Sequence, residues 1–211
     1  MAATWDAGAG VYTGGRAESA ADFEVPDPLW IFGYGSLVWR PEVEWVAFEQ
    51  RAGVCDGWAR YFAQQSTDHR GTPNAPGLVA TLLEEPGAST KGTAYKVPDD
   101  CVASVLDKLD VRERGGYTRR IASVDLVCAD GGPPRRVSAL VYSATRENPN
   151  FVPDLASTES AAVAAAAEII ATAVGPSGRN YEYLEELAAA LPDDAYLAEL
   201  NRRARDILAA F

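Results

Sequence analysis

Histidine and cysteine are scarce in this chain, and that scarcity removes whole classes of chemistry. His69 is the only histidine among 211 residues, so a Ser-His-Asp or Cys-His enzyme would have to be built around it. Ser36 is the one serine in a suitably sharp turn, and that turn lacks the Gly-x-Ser-x-Gly pattern. Cys55, Cys101 and Cys128 are odd in number, well separated and form no Cys-x-x-Cys. They read as three plain thiols in a reducing compartment, and no His/Cys cluster has zinc spacing. A phosphate-loop pattern is missing, and Gly33-x-Gly35 has no third glycine to complete a dinucleotide fingerprint. Positive charge is also short. Against 30 Asp and Glu stand 19 Lys and Arg, a net charge of −11. This argues against a general nucleic-acid binder, which needs a basic face. Long apolar runs are lacking too: the alanine-rich stretch Ala161 to Ala167 stops at Glu168, so no bilayer span is expected. The first residues show no charged start followed by an apolar stretch, hence no secretory signal. The expectation is a soluble, cytoplasmic protein.

What is present is an ordinary globular composition, 47% hydrophobic and 23% charged, in a chain long enough to bury a core without metals or disulfides. Residues 1–28 are small and polar, ending in Pro26 and Pro28, and read as a disordered N-terminal tail. A single domain over 29–211 is expected to follow. Candidate strands are Val46–Gly53, Gly57–Gln65, Val79–Leu83, Gly92–Val97, Arg119–Val127 and Val137–Tyr142, separated by Gly, Pro and Asp clusters. One helix interrupts them: Val102, Val105, Leu106 and Leu109 have helical spacing, and Asp99 or Asp100 is placed to cap it. After Pro153 the spacing predicts helices over Thr158–Val174, Asn180–Leu191 and Asp194–Ala210, with Gly175-Pro176 stopping the first and Ser177 or Asn180 capping the second. Strands first and helices last point to an α+β fold, a mainly antiparallel sheet curled into a small barrel with helices around it.

Four segments are unusual. In Phe32-Gly33-Tyr34-Gly35-Ser36-Leu37-Val38-Trp39, two glycines follow an apolar strand, Leu29 to Phe32. They permit a sharp turn whose backbone N–H groups face a bound group, an arrangement suited to a developing negative oxygen. Arg112-Glu113-Arg114-Gly115-Gly116-Tyr117 ends the predicted helix and places Glu113 near its C-terminus. A negative charge is disfavoured there, which favours a basic carboxylate unless the arginines point inward. The plainer reading is a surface glutamate paired with a neighbouring arginine. Ser66–Pro73, with His69 and Arg70, and Gly175–Asn180, with Arg179, read as turns that can line a pocket. Tyr34 and Tyr117 are candidate core aromatics with one hydrogen bond each.

Taken together, these segments, with Pro76–Leu82 and Glu147-Asn148-Pro149, closely resemble the ChaC family over about residues 29–208. The resemblance implies γ-glutamylcyclotransferase chemistry, in which glutathione yields 5-oxoproline and Cys-Gly, on the γ-glutamylcyclotransferase fold. It implies a small-molecule substrate, glutathione, with no cofactor, no metal, no nucleic acid, no membrane and no required protein partner. By position Glu113 matches the family's catalytic glutamate. Gly33, Tyr34, Gly35, Ser36, Leu37 and Val38 match the loop that holds the γ-glutamyl group, and Tyr117 a tyrosine near the substrate. One position departs: Phe151 stands where the family usually carries a tyrosine, which removes a hydroxyl contact. Two other readings stay open, the same chemistry on other γ-glutamyl amino acids or γ-glutamylamines, and a non-catalytic binding protein on this scaffold. An anion-binding module using the glycine turns is a third, disfavoured by the acidic balance.

Overall fold

The computed structural model describes residues 3–14, 17–19, 23–41, 45, 48–128 and 131–210. Its strands in chain order are β1 (Thr4–Asp6), β2 (Val11–Thr13), β3 (Glu18–Ser19), β4 (Trp30–Gly33), β5 (Glu49–Ser66), β6 (Gly77–Lys96), β7 (Tyr117–Leu126), β8 (Arg135–Ala144), β9 (Val174–Gly175) and β10 (Gly178–Arg179). The helices are α1 (Val102–Arg112), α2 (Ser160–Thr172), α3 (Asn180–Ala190) and α4 (Ala195–Leu208). The chain divides into two compact units. The first is built mainly from Tyr12–Arg60 and Leu82–Thr145, the second from Trp5–Val11, Tyr61–Thr81 and Arg146–Phe211.

In the first unit the sheet closes on itself. Neighbouring strands run β7-β5-β6-β4-β8, and β8 pairs back onto β7. That closing pair is antiparallel, from Tyr117↔Ala144 to Leu126↔Arg135. Closure leaves few unpaired edges in a mainly antiparallel barrel. The exceptions to antiparallel order are β4 beside β8 and the short β3, which joins β7 in parallel through Glu18↔Thr118 and Ser19↔Arg119. The sequence of β4 follows from its place. Leu29, Trp30, Ile31 and Phe32 are all buried, so the strand is apolar on both faces rather than alternating. α1 lays Val105, Leu106 and Leu109 against Leu29, Ile31, Trp45, Tyr95 and Leu140. Trp45 and Tyr95 meet with ring centroids 5.3 Å apart, and truncating a buried leucine here costs about 2–5 kcal/mol.

The second unit carries the remaining helices. Ala162, Val163, Ala166, Ala167 and Ile170 form the buried face of α2, small side chains that permit close helix packing. Leu184 and Leu187 of α3 and Leu197, Leu200 and Ala204 of α4 complete the core. Asp194 caps α4, its side chain accepting from Leu197 N at 3.1 Å.

The α+β barrel is as expected, with four local differences. The strands expected over Val46–Gly53 and Gly57–Gln65 are the single strand β5 from Glu49, and Val79–Leu83 and Gly92–Val97 are both inside β6; Val46 lies outside the described residues. Gly57 (φ +76°) and Gly87 (φ +88°) explain this, because they turn within a strand as bulges do instead of ending it. Neither Asp99 nor Asp100 caps α1. They lie in a 3-10 turn, Asp99–Cys101, that precedes it, where their charges still complement the helix N-terminus. Asn180 and Ser177 do not cap α3 either; Arg179 holds that position without a side-chain bond. Finally, the stretch read as a disordered tail includes β1, β2 and β3. Ala17 N donates to Asp110 O at 3.0 Å, and Phe23 lies under the Arg119 guanidinium at 5.5 Å.

Candidate active site

The glycine turn follows directly from the end of β4. Gly33 is required by crowding, since a Cβ there would come within 2.7 Å of Leu37 Cβ. Gly92 in β6 is required by the same approach: its Cβ would collide with Gly33 O. Ser36–Val38 then forms a 3-10 turn. The carbonyl oxygens of Tyr34, Gly35, Ser36 and Leu37 are each engaged. Arg60 Nε donates to Tyr34 O at 2.9 Å, Val38 N to Gly35 O at 2.9 Å, Arg40 N to Ser36 O at 2.7 Å and the Tyr95 hydroxyl to Leu37 O at 2.5 Å. Burial pushes the Tyr95 phenol up to about 12, so it remains a donor across the neutral range. A 3-10 turn leaves its first N–H groups, here Ser36 and Leu37, without a partner inside the turn. With the carbonyls tied into the protein, the backbone dipoles are oriented and the amides present the positive end.

Glu113 is the residue after α1, with φ −93° and ψ 15°. Its N–H donates to Leu109 O at 2.8 Å and its carbonyl accepts from Tyr117 N at 3.3 Å. Gly116, at φ +85°, supplies the left-handed residue that turns the chain into β7. The Glu113 side chain is 20% exposed, and its Oε1 lies 3.3 Å from Arg112 Nε. Arg112 Nη2 in turn donates to Ser36 Oγ at 2.5 Å. One guanidinium therefore joins the carboxylate at the helix end to the glycine turn. The condition set by the sequence is met in the opposing sense: one of the two arginines does point inward, toward the carboxylate.

Beneath Glu113 lies a buried ionic network. Asp110, 5% exposed, accepts from Arg119 Nε at 2.8 Å, from Arg119 Nη2 and from the Tyr142 hydroxyl at 2.7 Å. Burial, then the Asp110 carboxylate, pushes the Tyr142 phenol far up, so it stays protonated and donating. The Tyr34 hydroxyl donates to Tyr142 O at 2.6 Å, which ties the turn to the same strand. Tyr117 is partly buried and packs against the core cluster that includes Tyr142. Sequence reasoning missed Arg60, Tyr95 and the Asp110–Arg119–Tyr142 network. Asp110 alone had a signal, since it follows Val105, Leu106 and Leu109 on the buried face of α1.

The other two unusual segments meet each other in the second unit. Ser177 N donates to His69 O at 2.9 Å, and His69 Nδ1 lies 3.2 Å from Ser177 Oγ. Arg70 Nη1 reaches Arg179 O at 2.9 Å and Glu182 Oε2 at 3.1 Å. Asn180 accepts from Leu78 N at 2.6 Å and donates to Leu78 O at 2.7 Å, which is why its side chain does not cap α3. Phe151 is buried, with the Arg146 guanidinium 5.7 Å from its ring centroid. Among the described residues no group of three or more His, Cys, Asp and Glu side chains is arranged to hold a metal ion, and no helix is long and apolar enough to cross a membrane.

A carboxylate and an oriented-amide turn, tied together on a closed α+β barrel, define a candidate acid–base site for carbonyl chemistry. Residues 29–206 match the family described as ChaC-like protein, and the chain belongs to that family. It is 41% identical over 169 residues to the glutathione-specific γ-glutamylcyclotransferase 1 of Homo sapiens, covering 77% of this chain and 69% of that protein. It is 32% identical over 216 residues to the glutathione-specific γ-glutamylcyclotransferase of Saccharomyces cerevisiae, covering 82% and 90%. Its fold is similar to the crystal structure of a yeast γ-glutamyl cyclotransferase specific to glutathione, with a TM-score of 0.76 and 29% identity over 87% of this chain and 98% of that one.

Proposed function

We propose that this chain is a γ-glutamylcyclotransferase that degrades glutathione to 5-oxoproline and Cys-Gly, with Glu113 as general base and then general acid. The family match and the named relatives support the reaction. The observation that carries the residue assignment is the Arg112 link between Glu113 and Ser36. It joins a shielded carboxylate to a turn whose amides can receive an oxyanion.

The substrate's α-amino nitrogen attacks its own γ-carbonyl carbon. A free α-amino group has a pKa of about 8, so removing its proton at pH 7 costs only about 1.4 kcal/mol. That proton passes to solvent, and Glu113 takes the second proton, which the nitrogen sheds as it bonds to carbon. The new C–N bond closes a five-membered ring and negative charge develops on the carbonyl oxygen. Backbone N–H groups of the Tyr34–Leu37 loop stabilise it, and loss of one such donor typically costs about 3 kcal/mol. Glu113 then delivers the proton to the departing cysteine nitrogen as the old amide bond breaks. Ring closure is already intramolecular, so holding the folded conformer is most of the task. Gly33, Tyr34, Gly35, Ser36, Leu37 and Val38 hold the γ-glutamyl group, and Tyr117 lines the site beside Glu113. The reaction needs no cofactor and no protein partner. It belongs in the cytoplasm, in keeping with three free cysteines, and the family-matched segment begins at residue 29.

Glu113→Gln keeps the shape and removes the base. Release of 5-oxoproline and Cys-Gly from glutathione should fall by about 1,000-fold or more, with an unchanged melting temperature. A Gln variant that kept most of its activity would overturn the assignment.

A further inference from the structure

Two contacts of the Arg112 guanidinium lie along one edge. Nε faces Glu113 Oε1 at 3.3 Å and Nη2 donates to Ser36 Oγ at 2.5 Å. The oxygens come from different elements, the end of α1 and the turn after β4. Together they satisfy the Nε/Nη2 edge in the way the two oxygens of one carboxylate do. Arg112 also has a side chain only 27% exposed, where an ion pair is less screened than at a surface. A carboxylate held by a guanidinium is a weaker proton acceptor than one released from it. As it stands, the side chain assigned as base is paired with Arg112.

We propose that Arg112 is the receptor for the α-carboxylate of the γ-glutamyl substrate, and that this carboxylate displaces Glu113 and Ser36 from the guanidinium edge. This rests on Glu113 being the base. Substrate arrival then does two things with one contact. It fixes the α-carbon, and so the neighbouring amino nitrogen, beside α1, and it releases Glu113 from Arg112 so that the carboxylate can accept that nitrogen's proton. Arg112 thus sets specificity: a compound with the amino group and amide but no α-carboxylate leaves the Arg112–Glu113 pair intact and meets a restrained base.

The test compares Cys-Gly release from glutathione and from 4-aminobutyryl-cysteinylglycine, which lacks only the α-carboxylate and cyclises to 2-pyrrolidinone. Wild-type protein should favour glutathione strongly. Arg112→Gln should lower kcat/KM for glutathione by about 100-fold and that for the analogue by far less, because the analogue brings no carboxylate for Arg112 to receive. Arg112→Lys keeps the charge without the fork and should reduce the preference about tenfold, which provides the test if the Gln variant does not fold. Equal losses on both substrates in either variant would make Arg112 a support for Glu113 and overturn the proposal. So would a Lys variant with the full wild-type preference. Wild-type protein that released no Cys-Gly from glutathione would instead overturn the cyclotransferase reading.

Discussion

As sequence, the glycine turn of the first unit resembles the paired loops of the second unit, yet the two are built differently. Around Gly33–Val38 the protein bonds the carbonyl oxygens and brings charged side chains to the turn, Arg112 and through it Glu113. Around Ser66–Pro73 and Gly175–Asn180, glycines serve contact between backbones. A Cβ on Gly71 would run into Gly77 N, and one on Gly175 into His69 O and Gly71 N. Asn180 spends both ends of its amide on Leu78. Close approach within the protein accounts for glycines in both regions, Gly33 and Gly92 in the first and Gly71 and Gly175 in the second, and the first differs in having the Arg112 and Glu113 side chains joined to its turn.

Substitutions can break this contrast. The largest effect belongs to Glu113→Gln, which should abolish turnover without a stability change. Gly71→Ala should do the reverse and destabilise the fold by about 3 kcal/mol or more, because the obstructing atoms are backbone and cannot give way; chemical denaturation measures it. Asp110→Asn tests the boundary between the two behaviours. Weakening a buried ion pair with Arg119 should cost about 3 kcal/mol. It should also lower kcat more than it raises KM, because Asp110 anchors the helical turn that carries Glu113. Asn180→Ala leaves Leu78 N and O without their partner and should cost about 2 kcal/mol, with the kinetic constants of the folded fraction unchanged. The mildest test is chemical. Burial first, then Asp56, pushes the Cys55 thiol up to about 12, so at pH 8 a thiol reagent should modify Cys101 and Cys128 and reach Cys55 only after unfolding.

Much of the architecture was legible because it follows from periodicity. The apolar run at Leu29–Phe32, the spacing of Val105, Leu106 and Leu109, and the alanine face of α2 each declare what they bury. Strand ends were less legible: Gly57 and Gly87 have the composition of turns, yet β5 and β6 run on through them. The caps failed for a related reason. Asn180 is a good cap by propensity, but a long-range bond to Leu78 claims its side chain. In the candidate site, glycine placement and Glu113 were visible because both are local. Arg60, Tyr95 and the Tyr142–Asp110 contact join residues 26 to 58 positions apart, and no local pattern carries such information. The direction taken by Arg112 was equally hidden, since rotamer choice depends on Ser36 lying opposite.

The small strand β3 has a consequence for handling the protein. It lies before residue 29, where the family match begins, yet it hydrogen-bonds to Thr118 and Arg119 of β7. A shortened version starting at Leu29 would look complete by homology while laying bare main-chain donors and acceptors just beyond Tyr117. Uncovered strands of that kind recruit other chains. Trimming the early residues for convenience would therefore invite self-association along the first residues of β7.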